Sequence, residues 1–162
     1  MSVPESPTIL SLEDVLTALE VRLELEAVID RPQLTQVLEQ CLLFAQTHDL
    51  TDIAQLIKQE LDGYVDKLPS DRNVKLSYFD GGGQLVNGLN QYSNYPLVTG
   101  IRKLELHLKN GLTLRLPAQI LTFLSEVAGR EVDNGHVSPL EINNLLESIR
   151  DLIYQRLKFI RN

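Results

Sequence analysis

Apolar residues recur at three- and four-residue intervals over much of the chain, and each such run predicts a helix with one buried face. The first run is Leu12, Val15, Leu16, Leu19, Leu23 and Ile29. Ser11 and Asp14 stand at its start in capping-box spacing, where a hydroxyl and a carboxylate satisfy amides that have no partner inside the helix. Glu20, Glu24 and Glu26 fall on other faces and read as solvated surface. Asp30-Arg31-Pro32 breaks the element, and Pro32 suits the first turn of the next. Leu34, Val37, Leu38, Cys41, Leu42 and Ala45 form a second apolar face, which His48-Asp49 interrupts. Thr51 is placed to cap a third helix running through Tyr64, with Ile53, Leu56, Ile57 and Leu61 as its stripe and Gly63 as a helix-ending glycine. Helices joined by such short turns pack antiparallel.

The middle of the chain changes period. Residues 65–70 have turn chemistry, and Val74-Lys75-Leu76-Ser77-Tyr78 alternates as a strand does. Asp80-Gly81-Gly82-Gly83 reads as a turn, Gln84-Leu85-Val86 as a return strand, and the polar residues 87–96 as an exposed loop. Residues 101–116 fit two patterns. Leu104, Leu106 and Leu108, then Asn110-Gly111, then Leu112, Leu114 and Leu116 form a hairpin pattern, which the local alternation favours. Ile101, Leu104 and Leu108 also suit a short helix capped by Thr99 and ended by Gly111. Pro117 then opens a helix whose stripe is Ile120, Leu121, Leu124 and Val127, ended by Gly129. Asp133-Asn134-Gly135-His136 reads as a loop. Ser138-Pro139-Leu140-Glu141 combines an N-cap, a first-turn proline and a capping-box glutamate. A long stripe follows: Ile142, Leu145, Leu146, Ile149, Leu152, Ile153, Leu157 and Ile160.

The fold class is therefore mainly α with a small β component (α+β): antiparallel N-terminal helices, short middle strands and a long C-terminal helix. Residues 1–10 are expected to form a flexible lead and residues 11–162 a single domain. With 43% hydrophobic and 23% charged residues, the chain is neither collagenous nor low in complexity. It contains no run of about 18 apolar residues, so no membrane partner is expected. The N-terminus lacks the basic-then-apolar order of a secretory signal. The single Cys41 excludes an intrachain disulfide, and its apolar neighbours make it a small buried hydrophobe. A bacterial cytoplasmic location fits these features best. Residues 1–80 carry a net charge of −9 and residues 81–162 a net charge of +2. The acidic total gives nucleic-acid binding no support. The split is compatible with self-association or an oriented partner.

Candidate chemistry is sparse. His48, His107 and His136 lie far apart in sequence and form no metal-ligand spacing. The triglycine turn lacks the Lys-Ser/Thr of a phosphate loop, and no nucleophile-elbow serine exists. The carboxylate pairs Glu13 with Asp14, Asp49 with Asp52 and Glu60 with Asp62 read as solvated helix surface. Arg150, Arg156, Lys158 and Arg161 complement the dipole of the last helix, and alternatively form a small anion-binding or partner-facing patch. No cofactor and no metal are expected.

One segment has a family likeness. Ala54 to Tyr64, ending in Glu60-Leu61-Asp62-Gly63-Tyr64, resembles the helix-end signature of the AbiTii domain. As in that family, a Leu-Pro and an arginine follow before an extended segment, here Leu68-Pro69-Ser70-Asp71-Arg72 and residues 74–78. Gly100-Ile101-Arg102-Lys103-Leu104-Glu105 resembles a further family block, and the long C-terminal helix is similar too. The resemblance covers about residues 12–160 and implies a helix over residues 99–109. It also implies a place in bacterial abortive infection, a phage-defence context, and it brings no catalytic set.

On this basis the chain reads as a non-enzymatic interaction or sensing module, with a protein partner or self-association. Its candidate surface is Tyr64, Arg72, Asp80, Tyr92 and Tyr95, the last three within the 79–96 segment. Two of these residues also have a purely structural explanation. Tyr64 then lies on the core behind Gly63, and Arg72 pairs with an acidic helix residue. The alternatives in function are a small hydrolase or nuclease using a histidine and carboxylates, and an oligomeric scaffold.

Overall fold

In a computed structural model of the chain, the described residues are 11–20, 33–65 and 72–161. Helix α1 (Leu12–Glu20) opens as its sequence predicts. The Ser11 amide donates to Asp14 Oδ2, and the Asp14 amide donates to Ser11 Oγ, both at 3.1 Å. Val15, Leu16 and Leu19 are buried. The expected continuation through Leu23 and Ile29 with Glu24 and Glu26, the break at Asp30-Arg31-Pro32, the lead over residues 1–10 and the turn residues 66–70 lie outside the described residues.

Helix α2 (Leu34–Thr47) buries five of its six predicted core positions, and Phe44 joins them while Leu42 is half-buried. Its own N-cap, Gln33, makes no side-chain bond to the helix. The carboxylate of Glu105, some 70 residues away, does this instead. It accepts from the amides of Leu34 (3.1 Å) and Thr35 (2.6 Å) and from the Thr35 hydroxyl. An anion there satisfies orphan donors and meets the positive end of the helix dipole. Glu105→Ala is therefore expected to lower stability by about 1–2 kcal/mol, read as a shift in the urea midpoint. No shift would show that water replaces the carboxylate at no cost.

Helix α3 (Thr51–Asp62) forms a helical hairpin with α2. Thr51 lies inside its first turn and does not cap it, and the helix ends at Gly63, earlier than the expected Tyr64. The sheet follows. Strand β1 (Asn73–Phe79) alternates as predicted, with Val74, Leu76 and Tyr78 inward and Lys75 and Ser77 outward. The return strand β2 (Leu85–Val86) pairs with it antiparallel.

Three loop or hairpin expectations are corrected. Residues 87–96 contain a 3-10 turn (Asn90–Tyr92) and strand β3 (Asn94–Pro96), which pairs with the first half of β1. The hairpin over residues 101–116 does not form. Helix α4 (Ile101–Leu104) runs into a 3-10 turn at Glu105–His107, as the family resemblance implied. Ile101 and Leu104 are fully buried while Leu106 is 80% exposed. That is the burial of a helix, not of alternating strand positions. The residue preceding α4 is Gly100, and Thr99 makes no cap. The leucines after Gly111 form strand β4 (Leu112–Leu114), whose partner is distant in sequence.

That partner is the third correction. Asn134, Gly135 and His136, read with Asp133 as a loop, form strand β5 (Asn134–Val137), paired antiparallel with β1 on one side and β4 on the other. Gly135 is there for packing rather than for a turn. A Cβ on it would lie 3.0 Å from Leu76 Cδ1 and 3.5 Å from Leu116 and Tyr78. The sheet order is β2-β1-β5-β4, with β3 also on β1.

Helix α5 (Ala118–Ala128) crosses between β4 and β5 and ends at Gly129, in the left-handed region at φ 72°. Helix α6 (Pro139–Lys158) is about 30 Å long at 1.5 Å per residue. Ser138 Oγ accepts from the Glu141 amide at 3.2 Å, as its N-cap position predicts. The reciprocal half of the box is not made. Glu141 instead accepts from the Lys75 amide of β1 at 2.6 Å, pinning helix to sheet. Ile142, Leu145, Leu146, Ile149, Ile153 and Leu157 are buried, whereas Leu152 is half-buried and Ile160 exposed. The core includes these, the buried faces of α1, α2 and α3, and the inner face of the sheet. The fold is mainly α with a small antiparallel sheet.

Candidate functional site

The end of α3 carries Glu60 on the same helical face as Ile57, Leu61 and, one turn on, Tyr64. All four are buried. Arg72 enters at the start of β1, and its side chain is 1% exposed. Its Nη1 donates to both carboxylate oxygens of Glu60 (3.1 and 3.0 Å), its Nε to the Leu97 carbonyl (2.8 Å) and its Nη2 to the Thr99 carbonyl. The guanidinium lies 5.1 Å from the centre of the Tyr64 ring, and the Tyr64 hydroxyl donates to Glu60 at 3.1 Å. Burial, and then the Glu60 charge, push the Tyr64 phenol well above its ordinary range. Glu60, expected on solvated surface beside Asp62, is thus the carboxylate at the centre of a buried junction.

Two of the five candidate surface residues, Tyr64 and Arg72, therefore lie inside, in the arrangement that their structural explanation describes. They hold the 97–100 segment against the end of α3. Arg102 adds an exposed tie, reaching Glu39 on α2 and Asp62 at the end of α3, the latter at 3.0 Å. Those two bonds, first to Glu39, raise its pKa.

Asp80, Tyr92 and Tyr95 are half-buried. Asp80 Oδ1 accepts from the Gly82 and Gln84 amides, each at 2.9 Å, and Oδ2 accepts from Arg130 at 2.6 Å. The triglycine turn thus spends its amides on its own aspartate, which settles it as a turn. The Gln84 amide first, then the Gly82 amide and Arg130, hold the Asp80 carboxyl below its ordinary value of 3.8. A depressed carboxylate contributes stability above its unfolded pKa and loses it as pH falls through the folded one. A carbon-detected NMR titration is expected to place Asp80 below 3.8, with the turn loosening only under that pH. Arg130→Ala should recover only part of the depression, because the amides remain. Full recovery would make the ion pair the main cause.

Tyr92 meets Phe123 of α5 edge-on, with ring centres 5.2 Å apart. Tyr95 packs on the core opposite Val74. The 79–96 segment thus touches α5 through Tyr92 and the residue beyond its C-terminal glycine through Asp80. The helix itself was missed as a site, although its sequence is full of apolar residues. Only Leu124 is fully buried, with Leu121 and Ala128 partly so. Ile120 is 44%, Phe123 48% and Val127 41% exposed, and they fall on one line. Ile120 and Val127, expected in the core, face solvent because the core takes the adjacent arc of the helix. An open groove of about 540 Å³ runs along another side, lined by Ala118, Leu121 and Val132 among others.

Among the described residues, the three histidines are set apart from one another, with no catalytic arrangement around them. His48 packs on Phe44, with ring centres 4.4 Å apart. His136 Nδ1 lies 3.0 Å from the Thr113 hydroxyl, in a groove of about 310 Å³ whose other lining residues are Phe79, Gly83 and Asn134, with no carboxylate. His107 ends the 3-10 turn after α4. Among the described residues, no group of three or more His, Cys, Asp or Glu is placed to hold a metal ion. Cys41 is fully buried, and burial pushes its thiol up to about 12, far from a reactive thiolate. Of the basic residues on the last helix, Arg150 is buried beside Glu147 and adds nothing to a surface patch. No helix among the described residues is long and apolar enough to cross a membrane.

The junction of Glu60, Gly63, Tyr64 and Arg72 with Gly100 is built from positions among those that carry the family likeness, and the AbiTii family model matches residues 20–157. The chain belongs to the AbiTii family. Membership associates it with abortive infection, and so with phage defence. No curated protein and no solved structure matches the chain. Of the AbiTii signature residues, Glu60, Leu61, Tyr64, Arg72 and Gly100 are buried and carry the fold in this chain, while the exposed apolar stripe belongs to α5.

Proposed function

We propose that this AbiTii chain is a non-enzymatic interaction module of a bacterial phage-defence system, working in the cytoplasm by binding protein through α5 and the adjoining Tyr92. The exposed line of Ile120, Phe123 and Val127 carries the proposal. An eleven-residue helix with a single charge, Glu126, and one fully buried side chain has more apolar surface than its own fold uses. Contiguous exposed apolar surface rimmed by polar groups marks interaction sites. Asp80, bound to Arg130, and Tyr95, paired with Val74 of β1, anchor the segment that presents Tyr92.

The test is to express the chain with its neighbouring genes in a bacterial host and measure phage plaquing. Phe123→Asp is expected to abolish protection while lowering stability by about 1–2 kcal/mol, since half of the ring's surface and its edge-on contact with Tyr92 are lost. Undiminished protection by a folded Phe123→Asp variant would overturn the proposal.

A further inference from the structure

We infer that the occupant of the α5 stripe is a second copy of this chain, packed antiparallel about a two-fold axis near Phe123; this rests on the reading of α5 as an interface. Three observations support it. The stripe is symmetric on reversal. Phe123 stands at the middle of α5, and turning the helix end for end about the point between Phe123 and Leu124 exchanges the places of Ile120 and Val127. Such self-complementarity is what an isologous contact requires. The line of Ile120, Phe123 and Val127 itself contains no charge, and Glu126, three residues after Phe123, stands at its edge, where the same reversal sets it opposite position 121 rather than the other Glu126.

The third observation is the charge at the two ends. Arg115 lies three residues before α5 and Glu131 three residues after it. Both are exposed, and neither forms an ion pair among the described residues. In an antiparallel pair, the start of one α5 lies beside the end of the other. Arg115 of each copy then faces Glu131 of the other, twice over. A parallel pair would instead bring like charges together. Standard interfaces bury about 800 Å² per partner. An eleven-residue helix supplies less alone, so Tyr92 adds to the seam and the association is modest in strength.

Sedimentation velocity of the full chain, from low micromolar to several hundred micromolar, tests this. The wild type is expected to pass from monomer to dimer, and Phe123→Asp to stay monomeric with an unchanged circular dichroism spectrum. Arg115→Glu and Glu131→Arg should each weaken the dimer by about three- to tenfold, because every substitution acts at two rim contacts. The doubly reversed variant should return to within about twofold of the wild type, since both pairs are restored with opposite sense. A wild type that is monomeric throughout overturns self-pairing. So does a double variant no tighter than the single ones. If the wild type is monomeric while protection still depends on Phe123, the stripe serves a different protein and the interaction proposal stands. If protection does not depend on Phe123, that proposal fails by itself.

Discussion

Arg72→Ala is expected to destabilise the fold by about 3–5 kcal/mol, the loss seen when one partner of a buried ion pair is removed. The side chain joins three elements: Glu60 of α3, β1 at its root, and the carbonyls of Leu97 and Thr99 before α4. Its removal leaves a buried carboxylate without its guanidinium and two carbonyls without their donors. Arg72→Lys should recover little, because a single ammonium on a flexible stem does not reproduce the planar fork that serves a carboxylate and two carbonyls. Glu60→Leu with Arg72→Met should cost less than the two single changes together, since no lone charge stays buried. Equilibrium urea denaturation of Arg72→Ala, Arg72→Lys, the double variant and its two single changes measures each term. An Arg72→Ala protein within about 1 kcal/mol of the wild type would show that solvent reaches the junction and replaces the pair.

What the sequence made legible and what it hid divide along the range of the interactions. Helix stripes and caps are local, so Ser11 with Asp14, the α2 face and the Ser138 cap could be read directly from spacing. The buried faces of β1 followed from strict alternation. The hidden features depend on partners distant in the chain. Asn134-Gly135-His136 has turn chemistry and becomes a strand because β1 and β4 flank it and Leu76 needs the space at Gly135. The 104–108 leucines alternate, yet the helix wins because Ile101 and Leu104 both reach the core.

Glu60 was legible in part. It lies one turn before Tyr64 and next to the buried stripe, but only the Arg72 guanidinium turns a carboxylate in that place into an interior residue. The reverse holds for α5. Its apolar content was plain, but periodicity alone does not say which arc of an apolar helix meets the core. The candidate surface was therefore misplaced in two residues, Tyr64 and Arg72. Tyr92 is the one whose ring touches α5.

Gly100→Ala is expected to be the most damaging small substitution, costing about 3–5 kcal/mol or abolishing folded expression. Gly100 has an ordinary φ of −73°, so its need for hydrogen is purely a matter of contact. A Cβ there would lie 2.3 Å from the Leu61 carbonyl oxygen, 2.5 Å from the Asp62 carbonyl carbon and 2.6 Å from the Gly63 nitrogen. These are backbone atoms at the end of a packed helix and have no rotamer by which to yield. Facing it, Gly63 has a φ of 105° and would place its own Cβ 2.9 Å from the Val98 oxygen. The two glycines let the backbones touch, closed by the bridge between Gly63 and Thr99 and by the Tyr64 amide donating to Val98 at 3.0 Å. Only at that separation do Leu97 and Thr99 present their carbonyls to Arg72. Gly83→Ala is the control. Gly83 has a φ of 81° but open space around its Cβ position, so its substitution adds only backbone strain of about 1 kcal/mol. Thermal denaturation of both variants separates contact from conformation. Equal midpoints would mean that the α3 terminus shifts freely, and the junction would then not be the rigid crossing on which α4 and Arg72 are built.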